Sequence, residues 1–196
     1  MSSRSRIQLE EWLKTLKPEG KILDIGGSQL PIWRRTDCES GQVTILDLKK
    51  PHEETAKVDI VMDIQQHILE FPEASEYFGG FDTAFCIEVS EYWYDPYRAF
   101  DNIHRFLKPG GILYISFHWL YGLHNPKGED CLRYTENAVR KLAAATGFEV
   151  ENIKVKDLTG ASVLMMKEFY LKEGMRLDYR DPKTYEEGYL VRMKKI

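Results

Sequence analysis

The sequence of 196 residues has only three cysteines, Cys38, Cys86 and Cys131, and no Cys-x-x-Cys pair. An odd, scattered set of thiols is not a disulfide framework and reads as reduced cysteine in a cytoplasm-like compartment. No uninterrupted apolar run approaches the length of a bilayer span, so no membrane partner is expected. No apolar h-region follows the polar, basic start at Met1–Arg6, so no secretory signal is expected and the localisation expected is cytoplasmic. There is no block of like charge either. With 27 Lys+Arg against 31 Asp+Glu the formal charge is −4, a poor basis for wide, non-specific nucleic-acid binding. A small basic cleft stays open. Repeats, low-complexity tracts and Pro/Gly/Ser-rich linkers are missing as well, which predicts one folding unit over residues 1–196. Aromatic residues reach 12% and hydrophobic ones 43%, enough for a buried core and too many for global disorder.

What is present is an alternation of short apolar runs and helical stretches. Leu9, Trp12, Leu13 and Leu16 fall at i, i+3, i+4 and i+7, which predicts a helix within residues 1–19, stopped by Lys17-Pro18-Glu19-Gly20. Apolar runs follow at 21–25, 43–46, 58–62, 81–87 and 111–117, ending near Asp24, Asp47, Asp63, Glu88 and His118. They are nearly continuous rather than alternating, as in strands covered on both faces of a parallel sheet. Asp95-Pro96 caps a helix with Ala99, Phe100, Ile103, Phe106 and Leu107 on one face, terminated by Lys108-Pro109-Gly110-Gly111. Thr135 caps another with Val139, Leu142, Ala143 and Thr146, closed by Gly147. Strands are expected over Phe148–Val155 and Tyr189–Met193, and a weakly periodic helix over Ala161–Lys172. Strands alternating with helices imply βαβ units, whose ligands bind outside the carboxyl ends of the strands.

That rule directs attention to the strand ends. Gly26-Gly27 lets backbone approach a ligand closely. The dinucleotide pattern G-x-G-x-x-G fails, because its later glycine positions hold Ser28 and Pro31, which disfavours a nicotinamide or flavin enzyme. Asp47 follows Gly26 by about the 20 residues expected of an acid accepting the hydroxyls of an adenosine ribose. The same residue would serve equally as a solvated acid at a strand end.

Taken in order, Lys21-Ile22-Leu23-Asp24-Ile25-Gly26-Gly27, Val43-Thr44-Ile45-Leu46-Asp47, Val61-Met62-Asp63-Ile64, Phe81–Val89 and His104-Arg105-Phe106-Leu107-Lys108-Pro109-Gly110-Gly111 resemble the class I S-adenosylmethionine-dependent methyltransferases. The likeness is to their small single-domain, type 11-like members and extends over about Lys21–Val155, with Arg133-Tyr134-Thr135 and Gly147-Phe148 included. It implies a three-layer α/β/α Rossmann-like fold on a mostly parallel seven-stranded sheet with an antiparallel last strand. It implies S-adenosyl-L-methionine as cofactor: Gly26 and Gly27 under the methionyl part, Asp24 toward its ammonium, Asp47 and its neighbour Leu48 at the ribose, Asp63 and Ile64 at the adenine, and Cys86 to Glu88 facing the methionyl end. Two positions depart from the pattern. Gln29-Leu30-Pro31 follows the turn where a third glycine is common, and Glu91-Tyr92 stands where Glu-His is common.

The stretch 118–134 is a long, aromatic, histidine-bearing loop of the kind that forms lids and binding walls. With Tyr92, Trp93 and Tyr94 it would enclose the transfer site on the substrate side. Catalytic candidates are His118, His124 and Tyr92, the histidines because imidazole titrates near neutrality. The alternative is that they satisfy loop carbonyls. Trp93, Trp119, Tyr121 and Arg133 are the substrate-binding candidates. Arg133 suits a carboxylate or phosphate, or else pairs with Asp130 and holds the loop. His118, His124, Asp130 and Cys131 match no closed zinc spacing, so no metal is expected. His52, His67 and His104 read as surface or packing residues, Met165, Met166, Phe169 and Tyr170 as core, and the C-terminal basic residues as a solvated face. The expectation is methyl transfer to a small-molecule or sugar-like acceptor. The alternatives are an inactive cofactor-binding module of the same fold and, third, an NAD(P)-dependent oxidoreductase. Neither the acceptor nor the oligomeric state is legible.

Overall fold

The computed structural model describes residues 3–51, 55–126, 128–157 and 186–196. The first helix, α1, is Arg4–Leu13, capped by the Ser3 side chain, which accepts from the Arg6 amide. Leu9 and Leu13 are fully buried and Trp12 nearly so. The two leucines together contribute about 3 to 6 kcal/mol to docking this helix. The strands are β1 (Ile22–Ile25), β2 (Val43–Asp47), β3 (Ile60–Val61), β4 (Phe81–Cys86), β5 (Leu107–His118), β6 (Phe148–Asp157) and β7 (Glu186–Lys195). They form one seven-stranded sheet in the order β3-β2-β1-β4-β5-β7-β6. The first five strands pair in parallel, and β7 runs antiparallel to both β5 and β6.

Two helices cover the other face. In α2 (Pro96–Phe106), Asp95 accepts from the Arg98 amide and proline takes the first turn, so both expected start signals operate. In α3 (Glu136–Ala145), the Thr135 hydroxyl accepts from the Ala138 amide. Ala99, Phe100, Ile103 and Phe106 of α2 and Val139 and Ala143 of α3 join the larger core cluster with Leu23, Ala84, Leu113 and Phe117. On the opposite face Leu9, Trp12 and Leu13 pack with Ile22, Phe85, Tyr114 and Leu190. Alternate side chains of the same strands thus feed two separate cores, which is why those strands read as continuous apolar runs.

Several boundaries move. The third strand is reduced to two residues, because the Asp59 carboxylate takes the Ile45 amide in place of a backbone carbonyl. The fifth begins at Leu107, so Lys108-Pro109-Gly110-Gly111 ends the helix and opens the strand at once, with an irregular register against Phe81–Thr83. The last two strands are longer than the apolar pattern, because they pair with each other along their whole length. Of the C-terminal basic residues, Arg192 pairs with Glu151 and the Lys195 ammonium donates to the carbonyls of His104 and Leu107, so these two hold the sheet to its neighbours rather than face solvent alone. The expected helix over Ala161–Lys172 lies outside the described residues. So do His52, Met165, Met166, Phe169, Tyr170, Arg176, Arg180 and Lys183.

Candidate active site

One large cleft, about 1110 Å³, opens where β1, β2, β3 and β4 end. Its lining includes Asp24, Gly26, Gly27, Asp47, Leu48, Asp63, Ile64, Glu88, Tyr92, Trp93 and His124. The strand ends therefore meet in one place, as parallel topology requires.

The turn after β1 is closed by geometry. Gly26 has φ +74, and a Cβ there would stand 2.4 Å from Val89 Cγ2. A Cβ on Gly27 would stand 2.1 Å from the Asp24 carboxylate. Asp24 itself is buried and accepts from the Ile32 amide at 2.7 Å. Burial pushes its carboxyl up to about 7, against the lowering effect of the Ile32 bond and the nearby Arg35, while Asp47 adds to the rise. A carboxyl so desolvated gains most from a cation brought beside it. Asp47 accepts from the Ser28 amide at 3.1 Å and hydroxyl at 2.6 Å, and from the Leu48 amide at 2.8 Å. It pins the turn at Ser28, just ahead of Gln29-Leu30-Pro31. The Ile64–Gln66 backbone is held from α2, where the Asn102 amide group donates to the Ile64 and Gln66 carbonyls, and the Asp63 carboxylate accepts from the Gln65 amide at 3.1 Å.

After β4, Glu88 adopts φ +58, a left-handed conformation for a side-chain-bearing residue. Its amide donates to Ser116 Oγ at 2.7 Å and its carboxylate pairs with Arg6 of α1. The N-terminal helix thus reaches the cleft, a contact no local pattern announces. Cys86 does not line the cleft; it packs in the core, and Ile87 faces the space instead. The backbone here points alternate side chains to opposite sides, and Cys86 takes the inward one.

The acceptor-side candidates separate. Tyr92 and His124 line the cleft and stack on each other. Trp93 lines it while almost wholly buried, its indole N–H without an acceptor among the described residues. His118 is buried behind His124, with Tyr121 stacked on its ring. Between the two imidazoles sits Glu91, fully buried: its Oε1 lies 2.8 Å from His124 Nδ1 and 3.3 Å from His118 Nε2. Burial works to raise the Glu91 carboxyl, but the two imidazoles outweigh it and hold it low, at about 2. In return the carboxylate raises His124. Glu91, which the motif pattern presents only as the neighbour of Tyr92, lies at the centre of this group. No local signal marks it; only the adjacency of β4 and β5 brings 91 under 118 and 124.

Trp119, Tyr121 and Arg133 do not line the cleft. Arg133 grips Asp130 with both terminal nitrogens and donates to the carbonyls of Tyr121, Gly122 and Leu132. Of its two readings, the loop latch is the one observed. Asp130 in turn accepts from the His124 amide at 2.5 Å, so the latch sets where His124 stands. Arg133→Ala leaves the buried Asp130 carboxylate unpaired. The variant is expected to lose about 1.5–3 kcal/mol in denaturant unfolding and to be cut faster within 119–134 in limited proteolysis. Arg133→Lys should recover little, because an ammonium cannot make the fork.

Residues 23–115 match the sequence model of a family described as a methyltransferase domain. No curated protein matches the chain. Among solved structures, an S-adenosylmethionine-dependent methyltransferase from Mesorhizobium loti superposes with TM-score 0.60 at 16% identity, covering 97% of this chain and 98% of that one. A 1,6-didemethyltoxoflavin-N1-methyltransferase from Burkholderia thailandensis, with its namesake compound and S-adenosylhomocysteine bound, gives 0.61 at 16% identity over 98% of this chain and 78% of that one. The cyclase SpnF gives 0.58 at 17% identity, covering 97% and 80%. Likeness at these identities establishes the fold. The similarity to class I methyltransferases read from the motifs therefore holds in a family's sequence pattern and in architecture.

Proposed function

We propose, on that class I S-adenosylmethionine-dependent methyltransferase likeness, that this chain transfers a methyl group from S-adenosylmethionine to a small-molecule acceptor. One observation carries the reading: Asp24, the Gly26-Gly27 turn, Asp47 and Asp63 line a single cleft whose other end is walled by Tyr92, Trp93 and His124. The residues fit the group. The turn is a cradle that a Cβ would fill, and Asp24 is a buried carboxyl whose desolvation outweighs the nearby Arg35. Asp47 would accept from the ribose hydroxyls, Asp63 from the adenine amine, Ile64 and Leu48 would pack on the ring and sugar, and Asp24 would face the ammonium. When bound, the sulfonium supplies a methyl group already activated for attack. The protein's task is then alignment of the acceptor, in which immobilised geometry lowers the barrier most. Where the acceptor must shed a proton, His124 is the imidazole facing the cleft, with Glu91 as its orienting partner and His118 behind it. His124→Ala is expected to cut turnover at least tenfold while S-adenosylhomocysteine affinity changes little; equal loss of both would place His124 in the cofactor's subsite.

The likeness to SpnF, named a cyclase, favours keeping one second reading: a module of this fold that binds the cofactor without transferring its methyl. Calorimetry with S-adenosylhomocysteine tests binding, and appearance of S-adenosylhomocysteine from S-adenosylmethionine over an acceptor panel separates the two. NAD(P)H should give no fluorescence response.

Asp24 adds a pH signature. Its carboxyl is raised, so below about pH 7 the free protein carries a proton there. A cationic ammonium favours the carboxylate, so binding releases that proton and affinity climbs as pH rises toward 7, then levels. Titration at pH 6 in buffers of different ionisation enthalpy should show nearly one proton released with S-adenosylhomocysteine, and none with 5′-methylthioadenosine, which lacks the amino acid. At pH 8 both should show none.

A further inference from the structure

We propose that Glu91, His118 and His124 hold a single divalent transition-metal ion at the wall of the acceptor end of the cleft. Their ligand atoms all lie within 4.8 Å of one another, with Glu91 Oε1 2.8 Å from His124 Nδ1 and 3.3 Å from His118 Nε2. Atoms bound to one ion at roughly 2.0–2.2 Å stand about 3 to 3.5 Å apart, so little movement is needed to close the shell.

Hydrogen bonding alone accounts poorly for this group. Glu91 Oε2 and His118 Nε2 are buried without a hydrogen-bond partner among the described residues, a costly arrangement for a carboxylate and an imidazole. His124 Nδ1 faces two oxygens, Glu91 Oε1 and the Tyr92 hydroxyl at 3.0 Å, with at most one proton to give. The Tyr92 hydroxyl already donates to the Asn125 carbonyl. A cation bound by one Glu91 oxygen, His118 Nε2 and His124 Nδ1 would give both imidazole lone pairs and the buried carboxylate charge a partner.

The supporting shell is built. The amides of Cys131 and Leu132 donate to the Glu91 carbonyl at 2.7 and 2.9 Å, Tyr134 donates to the Ser90 carbonyl, and Asp130 holds the His124 backbone. Tyr121 stacks on the His118 ring, whose Nε2 lies 3.3 Å from Glu91 Oε1, and Lys156 Nζ stands 3.5 Å from Nδ1 on the far side of the ring. The set differs from the one weighed on sequence spacing: Asp130 is spent on Arg133, and Cys131 Sγ donates to the Glu129 carbonyl. Two imidazoles and one carboxylate suit zinc, iron(II), cobalt(II) or manganese(II) rather than calcium. His124 and Tyr92 face the cleft, which leaves a side of the ion open to a ligand from it.

The chemical consequence rests on the methyl-transfer reading; the metal site does not. An acceptor hydroxyl on the ion is acidified and loses its proton to water. Its oxygen then forms the new bond to the methyl carbon while the sulfur–methyl bond breaks and its electron pair returns to sulfur. The ion would thereby take over the work of a free His124 and select acceptors whose reacting hydroxyl can coordinate.

The test is titration of chelator-treated, full-length protein with Co2+ followed by its visible spectrum, and with Zn2+ by calorimetry. The expected result is one ion per chain and a cobalt spectrum of mixed nitrogen and oxygen ligation. His124→Ala, in a loop, and His118→Ala should each weaken binding by about 100-fold or more, since loss of a ligand exceeds the 10–100-fold effect of an outer-shell change. Circular dichroism and S-adenosylhomocysteine titration check each variant's fold. Absence of stoichiometric binding in the wild type, or binding unmoved by His124→Ala, overturns the inference. S-adenosylhomocysteine binding without metal sinks this site alone; metal binding without S-adenosylhomocysteine sinks the cofactor reading alone.

Discussion

The Gly27→Ala variant is expected to fold and to lose S-adenosylhomocysteine binding by about 100-fold or more. Its φ is ordinary, so backbone strain is not the reason. The added methyl would stand 2.1 Å from Asp24 Oδ2 and 2.2 Å from its Cγ. The Asp24 backbone is fixed in a strand paired on both sides, so the carboxylate must swing away and give up its bond from the Ile32 amide. Displacing it removes a charged partner of the ammonium, worth about 1.5–3 kcal/mol, and reshapes the turn as well. 5′-Methylthioadenosine has no ammonium and should lose less than S-adenosylhomocysteine. Calorimetry with both ligands checks this, and an unchanged affinity for both would remove the turn from the site.

Asp47→Ala should weaken both ligands alike, by about tenfold to 100-fold, from loss of a charge-assisted hydrogen bond to the ribose. Part of that loss comes through Ser28, whose amide and hydroxyl both rest on Asp47. Ser28→Ala separates the contributions: it removes the hydroxyl contact and leaves the carboxylate, so it should cost a smaller share. Thermal unfolding of Asp47→Ala should shift down by a few degrees without loss of the fold, because the buried Ser28 amide and hydroxyl lose their acceptor. An Asp47→Ala protein that binds S-adenosylhomocysteine as wild type does would contradict the ribose assignment.

The two variants bear on how much of this molecule its sequence discloses. Asp24 and Asp47 are legible because a strand buried on both faces is a continuous apolar run, and the first polar residue at its end must lie at the sheet's rim. Capping made α2 and α3 legible for an equally local reason, at Asp95-Pro96 and Thr135. What failed was non-local. The short third strand depends on Asp59 reaching the Ile45 amide, and the early start of β5 on pairing with β4 through Lys108-Pro109-Gly110-Gly111. The histidines were visible as chemistry-bearing residues, but their order in depth was not: His118 is buried and His124 faces the cleft. Glu91 escaped because a buried carboxylate looks like any surface acid until β4 and β5 lie side by side. Arg6 escaped likewise, since nothing in α1 announces that it reaches Glu88.

The central claim is that an adenosyl sulfonium occupies the cleft at the ends of β1 to β4. A crystal structure of the wild-type protein with S-adenosylhomocysteine tests it most directly. The account predicts the ribose within hydrogen-bond distance of Asp47, the adenine beside Asp63 and Ile64, the amino group near Asp24, and the sulfur directed toward Tyr92 and His124. Density for the ligand anywhere else, or a ribose that leaves Asp47 bonded only to Ser28 and Leu48, would contradict it.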